Sequence, residues 1–328
     1  MENKIIIDGI EVNKQHFDIV NNSGLLTDAG ESAFFVRELE FIKSKSYDTK
    51  QKALKAMMLL PISNGTDPGA ETITYRRYTE VGTAAIVSDY AENSPRSDIY
   101  GVEFSSKVVT VSNSFGYSRQ EIRRSKMTGK NLDARRASAN KRAFDEKIES
   151  IAWLGDTAHN IPGFIGYSGT TQYVVPNGAA GTATWITKTP DEIIKDIKGM
   201  LLSVTDTTNG IEEPDTLLLP YVQYMDIATR RVTDGDSKTV LTYVKDNFPM
   251  LKNVEWLTQL KDAGSGSTEM MIMYSKNPDS LTFEIPMPYT MLPPQVKGLG
   301  FEIMTEGRIG GLILYYPFSV SWGEGIWY

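Results

Sequence analysis

The chain has no cysteine, which removes a disulfide framework, a thiolate metal site and a cysteine nucleophile at once. Histidine is scarce too: His16 and His159 are the only two in 328 residues, far apart and each without a partner at ligand spacing. A zinc site or a Ser-His-Asp triad would have to use one of them. Their loop-like contexts, Lys14-Gln15-His16-Phe17 and Thr157-Ala158-His159-Asn160, read instead as solvated or hydrogen-bonded surface positions. No apolar run approaches the roughly 20 residues a membrane helix needs; Ala56-Met57-Met58-Leu59-Leu60 and Leu312-Ile313-Leu314-Tyr315-Tyr316 are typical. The apolar stretch in Met1-Glu2-Asn3-Lys4-Ile5-Ile6-Ile7-Asp8 is too short for a secretory signal. The expectation is a soluble chain of intracellular origin with no membrane partner.

Phosphate- and metal-binding motifs are missing as well. Thr128-Gly129-Lys130-Asn131 has the Gly-Lys pair of a P-loop but neither the upstream glycine nor the following Ser or Thr. Gly163-Phe164-Ile165-Gly166-Tyr167-Ser168-Gly169 lacks dinucleotide spacing and reads as a turn-rich connection. Asp234-Gly235-Asp236 has no glutamate to close a calcium loop, and Glu212-Glu213 lies in a polar stretch that reads as solvated. The sequence therefore predicts no cofactor, no metal and no catalytic residue.

What is present is an average globular composition, 41% hydrophobic and 23% charged, with a net charge of −7. That balance argues against a surface that grips nucleic acid throughout. After a short strand at Ile5-Ile6-Ile7, a helix is expected over Asp28–Lys43, where Phe35, Leu39 and Ile42 form one apolar stripe. Two long extended segments come after it, Thr72–Val87 and Phe104–Ser118, joined by the polar tip Ala91–Asp98. In the second, Val109, Val111, Phe115 and Tyr117 alternate with Thr110, Ser112, Ser114 and Ser118. Sixteen extended residues span roughly 50 Å, against a radius of gyration of about 20 Å for a globule of this length. Either a hairpin protrudes and another subunit covers it, or bulges break the runs into ordinary strands of about five residues.

A long helix comes next, from Asn131 as N-cap to Gly155 as C-cap. Ala137, Phe144, Ile148, Ile151 and Ala152 make its apolar stripe; Arg135, Arg136, Lys141, Arg142, Glu146 and Glu149 fall largely off it. Beyond Pro162 the chain reads as an α/β unit. Thr189-Pro190-Asp191-Glu192 starts a helix carrying Ile193, Ile197, Met200, Leu201 and Val204, and Pro220 stops the strand Leu217–Leu219 and opens a helix to Arg231. A shorter helix, Lys238–Asn247, precedes strands at Val254–Leu257, Met270–Tyr274 and Leu281–Ile285. The last thirty or so residues return to strand at Phe301–Thr305, Leu312–Tyr316 and Phe318–Trp322, as if rejoining a sheet beside the long helix.

This order of parts resembles the major capsid proteins of tailed bacteriophages, the Hong Kong 97-type fold shared with encapsulin shells. Local motifs resemble an encapsulin-like capsid subfamily: Leu60-Pro61, Tyr78-x-x-Val81-Gly82-x-Ala84, Asp89-Tyr90-Ala91, Pro95-Arg96-x-Asp98 and Tyr117-Ser118-x-x-Glu121-Ile122-Arg123. Leu132-Asp133, Gly155-Asp156, Gly163-Phe164 and Arg308-x-Gly310-Gly311-Leu312-x-Leu314-x-x-Pro317 continue the series. The resemblance implies an α+β fold divided into an N-terminal arm (1–70), an E-loop hairpin (71–118), a P domain with its spine helix (119–160), an α/β A domain (161–296) and returning P-domain strands (297–328). It implies a structural, non-enzymatic role: copies close into an icosahedral shell of hexamers and pentamers around phage DNA, as a virion component assembled in the host cytoplasm. Portal, scaffold or decoration proteins would be partners, and packaged double-stranded DNA would be contacted non-specifically. Some relatives cross-link a lysine to an asparagine; the tip Asp89–Gly101 holds no lysine, and no such pair is assigned.

Candidate contacts between subunits are Arg76, Arg77, Arg96, Asp98, Arg119, Glu121, Arg123, Arg124, Arg135 and Arg136. Residues 119–147 hold ten Lys/Arg against four Asp/Glu, net +6, which leaves −13 for the rest. A solvated helix face and a dock for acidic surface on a neighbour rank ahead of a face turned to packaged DNA. The alternatives are an encapsulin enclosing a protein cargo and, from another class, a carbohydrate-active enzyme or binding protein, kept alive by five Trp and sixteen Tyr.

Overall fold

The computed structural model describes residues 4–7, 10–13, 52–86, 95–128, 133–233, 235 and 237–326. The helix expected at Asp28–Lys43, His16, the Asp89-Tyr90-Ala91 motif, the Asn131 cap and Asp234 with Asp236 lie outside them. Met1–Lys52 and Ala53–Tyr328 form two units. In the first, β1 (Lys4–Ile7) pairs antiparallel with β2 (Ile10–Asn13), so the predicted strand at Ile5–Ile7 is present.

The second unit opens with a single helical turn, α1 (Ala56–Leu59), and a short strand, β3 (Ile62–Ser63). β4 (Thr72–Val81) and β5 (Asp98–Lys107) then pair in register over ten residues each, from Thr72 opposite Lys107 to Val81 opposite Asp98. The chain breaks at Val108. β6 (Val109–Ser118) turns away and pairs instead with a strand about 190 residues later. The sequence reading, which paired Phe104–Ser118 as one strand with Thr72–Val87, is corrected by this register. The hairpin partner begins earlier, at Asp98, and the alternation of Val109–Tyr117 serves a different sheet.

Ser118 ends β6 and caps α2 (Arg119–Thr128), a helix for which the sequence reading, starting its long helix at Asn131, gave no element. α3 (Asp133–Leu154) is the expected long helix, and Gly155 closes it with φ +73°. Any Cβ at Gly155 would collide with the backbone of Ile161–Gly163, where β7 (Gly155–Asp156) pairs with β8 (Ile161–Pro162). Phe144, Ile148, Ile151 and Ala152 are buried as predicted. Glu149 corrects the reading: it is buried, accepting from the backbone N–H of Lys55 at 3.0 and 3.1 Å and of Ala56 at 2.7 Å, and from Trp153 Nε1 at 2.8 Å.

The α/β region runs in the expected order: β9 (Thr171–Tyr173), α4 (Pro190–Thr207), β10 (Thr216–Leu219), α5 (Tyr221–Thr229), α6 (Val240–Asn247), β11 (Asn253–Trp256) and β12 (Met270–Tyr274). Thr189 and Glu192 close a capping box at the start of α4, and all five predicted apolar positions of that helix are buried. Then come β13 (Leu281–Glu284), β14 (Met287–Met291), β15 (Gln295–Lys297), β16 (Gly300–Ile309), β17 (Gly311–Leu314) and β18 (Val320–Glu324). β16 pairs with β6 over its full length, so its Thr305 and Gly307 meet Asn140 and Phe144 of α3. β17 pairs with β13. β18 does not rejoin that side; it enters the five-stranded sheet ordered β11-β10-β12-β18-β9, between β12 and β9.

That sheet separates two cores. Leu218, Ile272 and Tyr274 point to a cluster with Phe144, Ile151, Trp153, Phe283 and Leu312, while Leu217, Leu219, Met271 and Met273 point to Ile193, Ile197, Met200 and Val244. Strands buried on both faces read as unbroken apolar runs, which is why Met270–Tyr274 shows no alternation.

Candidate functional site

The ten candidate residues fall into two places. Arg76, Arg77, Arg96 and Asp98 lie on or beside the β4–β5 hairpin; Arg119, Glu121, Arg123, Arg124, Arg135 and Arg136 lie at the elbow between α2 and α3.

In the hairpin, strand alternation gives two faces. One carries Ile73, Tyr75, Arg77, Thr79 and Val81 opposite Ser106, Phe104, Val102, Tyr100 and Asp98. Its inner half is seated on the rest of the chain: Tyr75 stacks on Phe104, with ring centroids 5.3 Å apart, and meets Tyr315 edge-on at 5.3 Å. Burial, and then Tyr167 beside it, push the Tyr75 phenol above its ordinary range. The Arg77 guanidinium lies 4.8 Å from the Phe104 ring centroid. Beyond that point the seat ends. No described residue from Tyr78 to Ile86 or from Pro95 to Glu103 is buried, and Val81, Tyr100 and Val102 are 54, 61 and 52% exposed. On the other face Arg76 Nε pairs with Glu103 at 2.7 Å, both exposed, which holds the Arg76 proton more tightly than usual. Arg96 and Asp98 sit at the exposed far end.

At the elbow, Ser118 and Glu121 form a reciprocal cap: the Ser118 N–H donates to Glu121 at 3.0 Å and the Glu121 N–H to Ser118 Oγ at 3.1 Å. Arg136 of α3 reaches across with both nitrogens, at 2.7 and 3.2 Å from the two Glu121 oxygens. Its guanidinium also lies 4.9 Å from the Tyr117 ring centroid and donates to Gly116 O. The Arg136 bond first, and the Ser118 N–H second, lower the Glu121 carboxyl to about 2. Glu121 and Arg136 thus bind each other and tie α2 and α3 to the end of β6. The Arg119 N–H donates to Leu299 O at 3.0 Å, while its side chain and those of Arg123, Arg124 and Arg135 are exposed.

Sequence reasoning missed Tyr117 and Gly116 as the receivers of Arg136, and missed α2 as a separate helix. The Ser118-x-x-Glu121 spacing held the signal for the second. His159 sits on the surface with Nδ1 3.1 Å from Asp156, as expected. Glu212 is half-buried, accepting from Ser280 at 2.9 Å, and so is not simply solvated.

The family model described as major capsid protein matches residues 82–326. Among solved structures, the capsid of Myoviridae phage XM1 is 18% identical over 90% of this chain and 99% of its own, with a TM-score of 0.76. The capsid of an empty GTA particle aligns over 90% of this chain and 98% of its own at 10% identity, TM-score 0.64. A structure from Mycobacterium phage Bobi aligns over 87% and 94% at 14% identity, TM-score 0.60. No curated protein sequence matches the chain. With the family model covering well over half of the sequence and the fold matching these structures along most of the chain, the chain belongs to the major capsid protein family: it has the Hong Kong 97-type fold and is a structural, self-assembling subunit of a virion capsid.

Proposed function

We propose that the chain closes into an icosahedral shell of hexamers and pentamers around phage double-stranded DNA, assembled in the host cytoplasm, with the β4–β5 hairpin as its clamp between subunits. The observation that carries this reading is the hairpin's uncovered apolar surface: one face, covered as far as Arg77 and Phe104, continues uncovered through Val81, Tyr100 and Val102, and Tyr78 and Ile99 are exposed on the other. A two-stranded hairpin is at best marginally stable in water, and a contiguous exposed apolar strip marks a surface that meets another molecule. In a closed particle each such contact repeats by symmetry, so a modest pairwise affinity sums to a stable shell. Arg76, Arg77, Arg96 and Asp98 contribute charge around that strip, with Arg124 and Arg135 as further contacts from the elbow. Portal, scaffold and decoration proteins are the partners such a shell takes. The five-part division into arm, hairpin, spine, α/β domain and returning strands belongs to the same proposal.

The test is to replace residues 79–100 with Asn-Gly, closing the hairpin at the Tyr78–Gly101 pair with a two-residue turn. The cut stops well short of β6, which belongs to another sheet. The shortened chain should keep its circular dichroism melt, and electron microscopy should show no complete shells. Complete shells from the shortened chain overturn the clamp. Full-length particles carrying a protein cargo and no DNA would move the reading to an encapsulin.

A further inference from the structure

We propose that the exposed face of α2, formed by Arg119, Arg123 and Lys126, contacts the phosphate backbone of double-stranded DNA without regard to base sequence. The inference rests on the reading of the shell as a DNA container and names the residues that meet the DNA. Sequence alone ranked an acidic neighbouring subunit ahead; the structure reverses the order.

First, the charge is uncompensated. These three residues fall at i, i+4 and i+7, one face of the helix, and among the described residues none of them makes an ion pair. The only acid in α2, Glu121, is on the opposite side and already held by Arg136 and the Ser118 N–H. Second, the arrangement works against the helix itself. Arg119 and Arg123 repel at i, i+4, and both stand in the half of α2 nearest its positive dipole end, where a cation is disfavoured. Glu121 in the first turn suits the dipole, but among the described residues no carboxylate pairs with either arginine, and an anion lying along the face offsets both terms. Third, the face has the wrong composition for a protein partner. Interfaces between proteins centre on apolar and aromatic groups with charge at the rim; here Met127 is the one large apolar side chain exposed on α2. The hairpin, by contrast, has an apolar strip. Seven residues at 1.5 Å rise place the three cations along about 10 Å, a stretch over which duplex DNA presents about six charges.

The clamp at the elbow supports this use. α2 has no fully buried side chain among its described residues, so packing alone does not fix its direction. The Glu121–Arg136 bidentate pair and the Arg119 N–H to Leu299 bond do, which holds the cationic face in one orientation on every copy.

The test measures binding of the unassembled full-length chain to a fluorescently labelled random-sequence DNA duplex by anisotropy, across about 50 to 200 mM salt. The variants are Arg119→Gln/Arg123→Gln/Lys126→Gln, the charge-keeping Arg119→Lys/Arg123→Lys, and Arg123→Gln alone. Losing three phosphate contacts should make the slope of log K against log salt shallower by about 2.7 per chain engaged, and losing one by about 0.9. The lysine variant should keep the original slope, and two duplexes of unrelated sequence should bind alike. If the triple variant does not fold by circular dichroism, the single variant carries the test. An unchanged slope in the glutamine variants, or a tenfold preference between duplexes, overturns the proposal. So does loss of particles by electron microscopy with the DNA slope intact, which would make α2 a contact between subunits. A parent chain that forms no particles under any condition would sink the shell reading instead, and leaves the DNA slope to be judged by itself.

Discussion

Strand β12 and the outer half of the β4–β5 hairpin both carry large apolar side chains and end in opposite environments. Every residue from Met270 to Tyr274 is buried, because the sheet has a core on each face. From Tyr78 outward no described hairpin residue is buried, although Tyr78, Val81, Ile99, Tyr100 and Val102 carry large apolar side chains. A large apolar side chain therefore does not by itself say whether it is buried. What distinguishes the two regions is whether a covering surface lies among the described residues of the same chain. β12 finds β10 and β18 on either side; among the described residues the outer hairpin pairs only with its own other strand. A monomeric protein would be expected to bury or blunt such an edge; in the proposed clamp a neighbouring subunit covers it.

On that contrast, substitutions in the two regions divide cleanly, and the largest effects on the unassembled chain come from the core. Trp153→Ala empties a fully buried site against Phe164, whose ring centroid lies 5.9 Å away, and should cost about 3–5 kcal/mol in chemical denaturation. A loss below about 1 kcal/mol would mean that the site collapses and the core is less fixed than its burial suggests. Glu149→Gln comes next. Glu149 takes two backbone N–H groups and the Trp153 indole N–H on one carboxylate, and an amide can satisfy fewer donors while bringing two of its own. A penalty of about 1–3 kcal/mol is expected. Limited proteolysis should show new cleavage near Lys55 and Ala56, since that carboxylate holds their backbone; an unchanged digestion pattern would remove it from that role.

How far the sequence carried the fold depends on the range of the forces involved. The capping box at Thr189 and Glu192 and the stripe of Ile193, Ile197, Met200 and Val204 are local, and they were legible. So were β10 and β12, whose composition declares burial on both faces. The partner of β6 was not legible, because its alternation says only that one face is covered. The covering sheet is completed by Gly300–Ile309, almost two hundred residues away, and no local signal sets that pairing. Glu149 was misplaced for a similar reason. On a helical wheel it sits beside the stripe, and nothing in α3 reveals that Lys55 and Ala56 will bring unsatisfied N–H groups to it. At the elbow, basic composition was visible but the division of labour was not: Arg136 is spent on Glu121, while Arg119 and Arg123 make no such bond among the described residues.

The elbow itself supplies a smaller, pH-dependent test. Glu121 titrates near 2 in the folded chain against an ordinary value of 4.5, chiefly because Arg136 bonds the ionised form. A carboxyl lowered on folding contributes stability that is present above its unfolded value and lost as pH falls toward the folded one. The contribution of Glu121 should therefore fade between about pH 4.5 and 2. Glu121→Gln should lower the melting temperature slightly at neutral pH and flatten its decline over that window, because the charged partner is already gone. Parallel curves for the two proteins would show that the pair is too solvated to matter, as many exposed pairs are.

The smallest effect on the unassembled chain is expected in the outer hairpin. Tyr100→Ser and Val102→Ser each remove an apolar side chain that is more than half exposed, on the part of the hairpin where no described residue is buried. Almost no buried area is lost, so denaturation midpoints should move by no more than about 0.5 kcal/mol in equivalent stability, the range of ordinary surface substitutions. Particle yield should respond differently: an apolar residue at the centre of a repeated contact is removed once per subunit all around the shell. Counting particles by electron microscopy beside the melts gives two numbers per variant, and a clamp between subunits requires them to separate. Substitution of Arg76 by Gln on the opposite hairpin face is the internal control. Its pair with Glu103 is exposed and worth little, and the substitution removes no apolar side chain from either face, so its effect on yield should be smaller than that of Tyr100→Ser. Equal losses of yield from the two faces would show that the hairpin is sandwiched between neighbours on both sides, and a drop of several kcal/mol in the Tyr100→Ser melt would place that ring in the subunit's own core after all.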